Sequence, residues 1–138
     1  MTRKEFSTQL SDIRKSSGVK IKDICMSLNV LPDAIYRMEG GKFNYDTNRM
    51  LAYCNALGIK VVLNGITVTD YDSLLSTTVK IRKAAEFTQR SLAEVVGISR
   101  QAVVYIETQK NTLTIDVLLK ICEAAGATIL LNRKEVSN

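Results

Sequence analysis

Phe87-Thr88-Gln89-Arg90-Ser91-Leu92-Ala93-Glu94-Val95-Val96-Gly97-Ile98-Ser99-Arg100-Gln101-Ala102-Val103-Val104-Tyr105-Ile106-Glu107 is the stretch that decides the fold. Thr88 opens a short helix that runs to Val96. It stops at Gly97, because a residue without a Cβ enters the left-handed turn region freely. Ser99 caps the next helix, its hydroxyl accepting from an amide of the first turn that has no helical partner. Val103 and Ile106, spaced i, i+3, face inward on that helix.

Two further helices flank this pair. Upstream, Asp70 caps a helix running to about Ala85, with Leu74, Thr78 and Ile81 on one face. Downstream, Thr114 caps a helix that ends at Gly126, a natural helix stop. The same plan is written once before. Residues 13–64 align with 81–132 without a gap at an offset of 68, with 12 identities in 52 positions. Ile13-Arg14-Lys15 recurs as Ile81-Arg82-Lys83, Glu39 as Glu107, Lys42 as Lys110, Cys54 as Cys122 and Gly58 as Gly126. Phe6, Leu10 and Ile13 repeat the first-helix spacing. Breaks at Asn29, Leu31-Pro32, Gly40-Gly41, Asp46 and Gly58 match those of the second copy, and Pro32 suits a first helical turn, which needs no amide donor there. The repeat predicts a mainly α chain of two modules, 1–69 and 70–138, each marginal in size and each gaining stability by packing on the other.

After each fourth helix the pattern changes period. Residues 59–63 and 66–69 are β-branched runs around Asn64-Gly65, a type I′ hairpin signal. Residues 127–131 form another strand candidate. A lone hairpin is marginal in water, so the third strand is expected to join it and tie the copies together in a small shared sheet.

Composition narrows the function classes. The chain of 138 residues carries 19 Lys+Arg against 14 Asp+Glu, a net charge of +5, which suits an anionic partner. Residues 1–68 hold net +4 of it, residues 69–138 net +1. There is no His, and Cys25, Cys54 and Cys122 form no CxxC pair. No metal, cofactor or catalytic site is expected: the chain lacks an imidazole base, suitably spaced paired acids, a phosphate-binding glycine loop and an activated thiol. Cys54 and Cys122 lie on apolar helical stretches and are expected to pack as small hydrophobes. The polar N-terminus and the shortness of every apolar run point to a cytoplasmic protein rather than a membrane one.

The quoted stretch resembles the Cro/repressor-type (XRE-like) helix-turn-helix family. It carries the pattern hydrophobic-Thr-Gln-x-x-Leu-Ala-x-x-hydrophobic-Gly-hydrophobic-Ser-x-x-x-hydrophobic-x-x-hydrophobic-Glu at every marked position. The likeness extends upstream to Arg82 and downstream through Leu118-Leu119-Lys120-Ile121. It implies two lambda-repressor-like four-helix modules in tandem, a pseudo-dimer in one chain. Small Ala93 lets two helices cross closely. The resemblance also implies an ion pair between Arg82 and Glu107, fastening the first helix to the recognition helix, with Arg14 and Glu39 as its counterpart.

In such folds the recognition helix enters the major groove. The resemblance makes Arg100, Gln101 and Tyr105 the base-reading residues; Arg suits guanine O6/N7 and Gln suits adenine N6/N7. Thr88, Gln89, Ser99, Lys110, Asn111 and Thr112 become backbone contacts, Gln89 beside amides exposed at a helix start. The first copy departs from the pattern. Ile21 stands in the Gln position, and Pro32 and Asp33 replace Arg100 and Gln101. Lys20, Lys22, Asp33, Tyr36, Arg37, Lys42 and Asn44 remain its candidate DNA contacts: this copy is a weaker reader leaning on phosphate contacts, or one whose groove-reading role has lapsed, with retained DNA contact favoured.

The expected function is a sequence-specific double-stranded-DNA-binding transcriptional regulator, acting as a repressor by covering a promoter or as an activator by touching RNA polymerase. The alternatives are an antitoxin that binds a toxin and its own operator, and a protein-interaction module that has left DNA. The chain is a monomeric pseudo-dimer or a homodimer paired through a strand edge at 66–69 or 127–131.

Overall fold

The computed structural model describes residues 1–133. Four helices lead: α1 (Arg3–Ser16), α2 (Ile21–Leu28), α3 (Pro32–Gly40) and α4 (Thr47–Leu57). The hairpin β1 (Ile59–Leu63) and β2 (Ile66–Val68) follows. Then come α5 (Tyr71–Ala84), α6 (Gln89–Val96), α7 (Arg100–Glu107), α8 (Ile115–Ala125) and β3 (Ile129–Arg133).

Side-chain caps set most helix starts. Asp70 accepts from the Ser73 amide and Thr88 from the Ser91 amide, and in each case the serine hydroxyl answers the cap's own N–H, a capping box. Ser99, Thr114 and Asp46 cap α7, α8 and α4 in the simpler way. Two helices begin without a side-chain cap, α2 at Lys20 and α3 at Leu31. Glycines at 41, 58, 97 and 126 end helices in the left-handed conformation. Gly41 is the most constrained: a Cβ there would meet the Lys4 Cα at 2.9 Å, so α1 closes directly over the end of α3.

The predicted faces pack as expected. Phe6 and Leu10 of α1 and Leu74, Thr78 and Ile81 of α5 are buried, while Ile13 is half-buried and its neighbour Arg14 goes inward. Thr78 satisfies its hydroxyl on the Leu74 carbonyl at 2.8 Å. Cys54 and Cys122 are buried thiols, pushed up by desolvation to about 12 and about 11 respectively. One contiguous apolar core runs from Phe6 through Ile59, Val61 and Leu63 of β1 to Ile129.

The sheet has strand order β2-β1-β3, antiparallel throughout. Asn64 (φ 49°) and Gly65 (φ 83°) both take positive φ, as a type I′ turn requires. The hairpin's second strand ends at Val68 instead of residue 69, because the Thr69 amide turns to the Ser73 hydroxyl at 3.2 Å. The last strand spans 129–133 instead of 127–131. The Ala127 amide closes the end of α8 on the Cys122 carbonyl at 2.8 Å, and pairing continues instead to Asn132 and Arg133, opposite Lys60 and Ile59.

A second seam joins the helical parts. Asp46 and Thr114 form an antiparallel bridge. Around it the Thr47 amide donates to the Leu113 carbonyl at 3.0 Å and the Ile115 amide to the Tyr45 carbonyl at 2.9 Å. Thr47 adds its hydroxyl to Leu113 O at 2.9 Å, and the Asp116 amide donates to Asn44 Oδ1 at 3.2 Å. Arg3 ties the seam from outside, donating to the carbonyls of Gly41 and Lys42 and pairing with Asp116. Asp46 and Thr114 lie 68 residues apart, as do Val62 and Leu130, which face each other in the β1–β3 ladder.

Candidate nucleic-acid interface

Helix α6, its turn and α7 are assembled from local chemistry. The Gly97 amide closes α6 on the Ala93 carbonyl at 2.9 Å and the Ile98 amide joins it at 3.0 Å, so the chain reverses and Ser99 opens α7. The Ser99 hydroxyl accepts from the Ala102 amide at 3.0 Å, which leaves its own proton free to donate to an anion.

The base of α7 is fixed by an ion pair. Arg82 meets Glu107 with two parallel bonds, Nε to Oε2 at 2.7 Å and Nη2 to Oε1 at 3.0 Å, while Nη1 donates to the Phe87 carbonyl at 2.9 Å. Side-chain exposures of 10% and 14% put this bidentate pair where solvent screens it little. The Arg14–Glu39 pair copies it at 2.6 and 3.0 Å, with Nη1 on the Val19 carbonyl at 3.1 Å. The hydrogen bond to Glu39 raises the Arg14 pKa. The third donor differs. Glu107 receives Gln89 Nε2 at 3.0 Å, whereas Glu39 receives the Tyr53 hydroxyl at 2.6 Å, because Ile21 stands in the Gln89 position and donates nothing. Burial and the bond to Glu39 hold Tyr53 protonated far above the usual phenol range.

The exposed edge of α7 carries the base-reading candidates. Arg100 and Gln101 are exposed, Tyr105 half so. Gln101 Nε2 donates to the Tyr105 hydroxyl at 2.6 Å, one helical turn away. The Lys110 ammonium lies 5.3 Å from the centre of the Tyr105 ring. Ser99, Lys110, Asn111 and Thr112 are exposed around this row. Two of the expected backbone contacts are partly committed inside the fold. The Thr88 hydroxyl is taken up by Ser91, and Gln89 holds Glu107, keeping one amide N–H in reserve.

The first copy presents a different surface. Lys20 and Lys22 are exposed. Asp33 is turned to Arg37 at 3.3 Å, an exposed i, i+4 pair. Arg37 and Lys42 lie 5.5 and 5.7 Å from the Phe43 ring centre. The Asn44 side-chain oxygen accepts from the Tyr45 and Asp116 amides, so this candidate DNA contact belongs to the seam between the copies. Tyr36 is exposed, as are Met26, Leu31 and Phe43, which sequence reasoning passed over. Their signal was already present in the repeat: Leu31 and Phe43 stand where the second copy has Ser99 and Asn111.

Residues 80–131 match the family described as Helix-turn-helix. The match takes in Arg82, all of α6, α7 and α8, and the start of β3; the first half of the chain lies outside it. This helix-turn-helix unit is thus similar to DNA-binding regulators of the XRE type, which bind double-stranded DNA. No curated protein and no solved structure matches the chain. Among the described residues no helix is long and apolar enough to cross a membrane.

Proposed function

We propose that the chain is a sequence-specific transcriptional regulator of the cytoplasm, a repressor that covers promoter DNA and reads the major groove with α7. The observation that carries this is the exposed Arg100–Gln101–Tyr105 row on the helix of the matched unit, braced at its base by Arg82 and Glu107. Arg100 and Gln101 supply base-edge donors, while Ser99, Lys110, Asn111 and Thr112 supply phosphate contacts.

In this reading the two copies, 1–69 and 70–138, act as a pseudo-dimer. Its support is the pairing arithmetic. Asp46 with Thr114 and Val62 with Leu130 each join equivalent positions, and the bonds Thr47 to Leu113 and Ile115 to Tyr45 exchange places when the copies are exchanged. Such self-pairings are what an approximate two-fold relation between the modules would produce. Because the copies read differently, the site would be asymmetric, with Lys20 and Lys22 of the first copy adding phosphate contacts rather than base contacts.

The test is selection of bound duplexes from a random library, with Arg100→Ala/Gln101→Ala alongside. Each base pair well read by such contacts is worth about 1–3 kcal/mol, so the double variant should lose at least tenfold in affinity for the enriched site while keeping its salt-dependent background binding. An unchanged enriched site in the variant would overturn the reading. A second reading, in which the chain also holds a protein such as the toxin of an operon pair, is favoured by the apolar surface of α2 and α3.

A further inference from the structure

The strongest surface outside the α7 row lies on the first copy, where Tyr36, Arg37 and Lys42 also stand as candidate DNA contacts. Of the described large apolar side chains, four of the exposed ones belong to α2, α3 and their flanking loops: Met26 (80% exposed), Leu31 (77%), Tyr36 (58%) and Phe43 (53%), with Leu31 and Phe43 lining one groove. Between α3, the 43–45 loop and the start of α4 runs an open groove of about 500 Å³, walled by Leu31, Ala34, Phe43 and Tyr45. That volume suits a few side chains of a bound segment. Leu31 also breaks a local rule. It occupies the N-cap of α3 and makes no capping bond, where the second copy has a capping serine. Natural proteins break such local rules at functional or strained sites.

The charge around the groove points to the occupant. Arg37 and Arg49 line it, and Lys42 stands over the Phe43 ring. Among the described residues Asp33 is the one carboxylate in the wall and is paired with Arg37; Asp46, nearby, is turned to cap α4 through the Arg49 amide. The rim is therefore cationic around an apolar floor. We propose that this groove is a docking site for a protein segment carrying an apolar anchor flanked by carboxylates. Leu31 and Phe43 grip the anchor, and Arg37, Lys42 and Arg49 receive the acids. This rests on the second reading above and leaves the role of α7 untouched. A tethered acidic partner would bring a second protein to whatever α7 holds, or compete with DNA for the first copy's cations.

A phage-displayed library of random twelve-residue peptides, panned on the full chain, tests it. The expected winners carry Leu, Phe or Trp beside Asp or Glu. Synthesised, they should lose at least tenfold in affinity on Leu31→Ser/Phe43→Asn, which installs the second copy's residue types at exposed positions. They should also weaken with Lys42→Glu and with added salt. Thermal unfolding of each variant confirms that it folds. Duplex selection run in parallel keeps the two readings apart, since Arg100→Ala/Gln101→Ala should weaken the enriched site at least tenfold while Leu31→Ser/Phe43→Asn leaves it bound. No enrichment, winners without acids, or peptide binding indifferent to Leu31 and Phe43 would overturn the proposal. Loss of duplex binding in Leu31→Ser/Phe43→Asn would also overturn it, assigning the face to nucleic acid.

Discussion

Leu31 and Glu107 illustrate opposite bargains made by single residues. Leu31 leaves the first amides of α3 without a side-chain acceptor. Replacing it with Ser supplies one, and a capping side chain is worth about 1 kcal/mol. Leu31→Ser should therefore raise the urea midpoint with an unchanged denaturant slope, even as it removes an apolar contact from the groove. A lowered midpoint would show that Leu31 contributes packing its exposure does not suggest. Glu107 is the reverse case. It receives Arg82 through two bonds and Gln89 through a third, and truncating it strands a largely buried guanidinium. Glu107→Ala should cost about 3 kcal/mol, the lower end for a broken buried pair, since water reaches part of this one. Denaturant unfolding of the variant beside wild type checks it. A cost under about 1 kcal/mol would place the pair with ordinary surface ion pairs.

At the scale of elements, α4 and α8 share a titratable feature. Cys54 and Cys122, at equivalent positions, are thiols whose ordinary pKa of 9.0 is pushed up to about 12 and about 11 by burial. A folded-state pKa above the unfolded one gives stability that is complete below the unfolded value and is lost as pH rises toward the folded one. The melting temperature should thus be flat in these groups up to about pH 9 and fall between about pH 9 and 12, with Cys54→Ala/Cys122→Ala flattening that fall after its own packing loss is subtracted. An unchanged slope in the double variant would remove the thiols from the alkaline transition. Tyr45, raised to about 12 mainly by burial, adds to the same limb from pH 10 upward.

The elements also show which features a sequence displays. The caps Asp70, Thr88, Ser99 and Thr114, the Asn64-Gly65 turn and the glycine stops were legible because each depends on residues within one turn of the chain. The strand β3 was displaced by two residues, its start set back because the Ala127 amide finishes α8 on the Cys122 carbonyl instead of joining the ladder. Gln89 and Asn44 were harder still. Each reads as a free polar side chain on a DNA-facing loop or helix start, and each finds its partner far along the chain, at Glu107 and Asp116. Such partners follow from tertiary placement, which local patterns do not encode.

On the scale of the whole molecule, the two seams decide whether the copies behave as beads or as one body. Linked modules gain avidity of roughly 10²–10⁴ over either alone, but only if their geometry lets both engage together. The β1–β3 ladder fixes one end of the relation and the 44–47/113–116 seam the other, so neither copy is free to swing about a single hinge. Loosening the second seam should separate stability from reach. Thr47→Val removes the hydroxyl bond to Leu113 while keeping shape, and Arg3→Ala removes the outer tie to Asp116. If α7 and the first copy's lysines grip one duplex together, this pair of substitutions should weaken binding to the full selected site by about tenfold, a part of that avidity. Binding to a short duplex spanning only the part read by Arg100 and Gln101 should stay within about twofold, since the α7 surface is unaltered. Equal losses on both duplexes would mean that the seam supports the fold of the second copy instead of the alignment of the two. No loss on either would mean that the first copy takes no part in holding DNA, which would leave its cationic, apolar face to a protein partner.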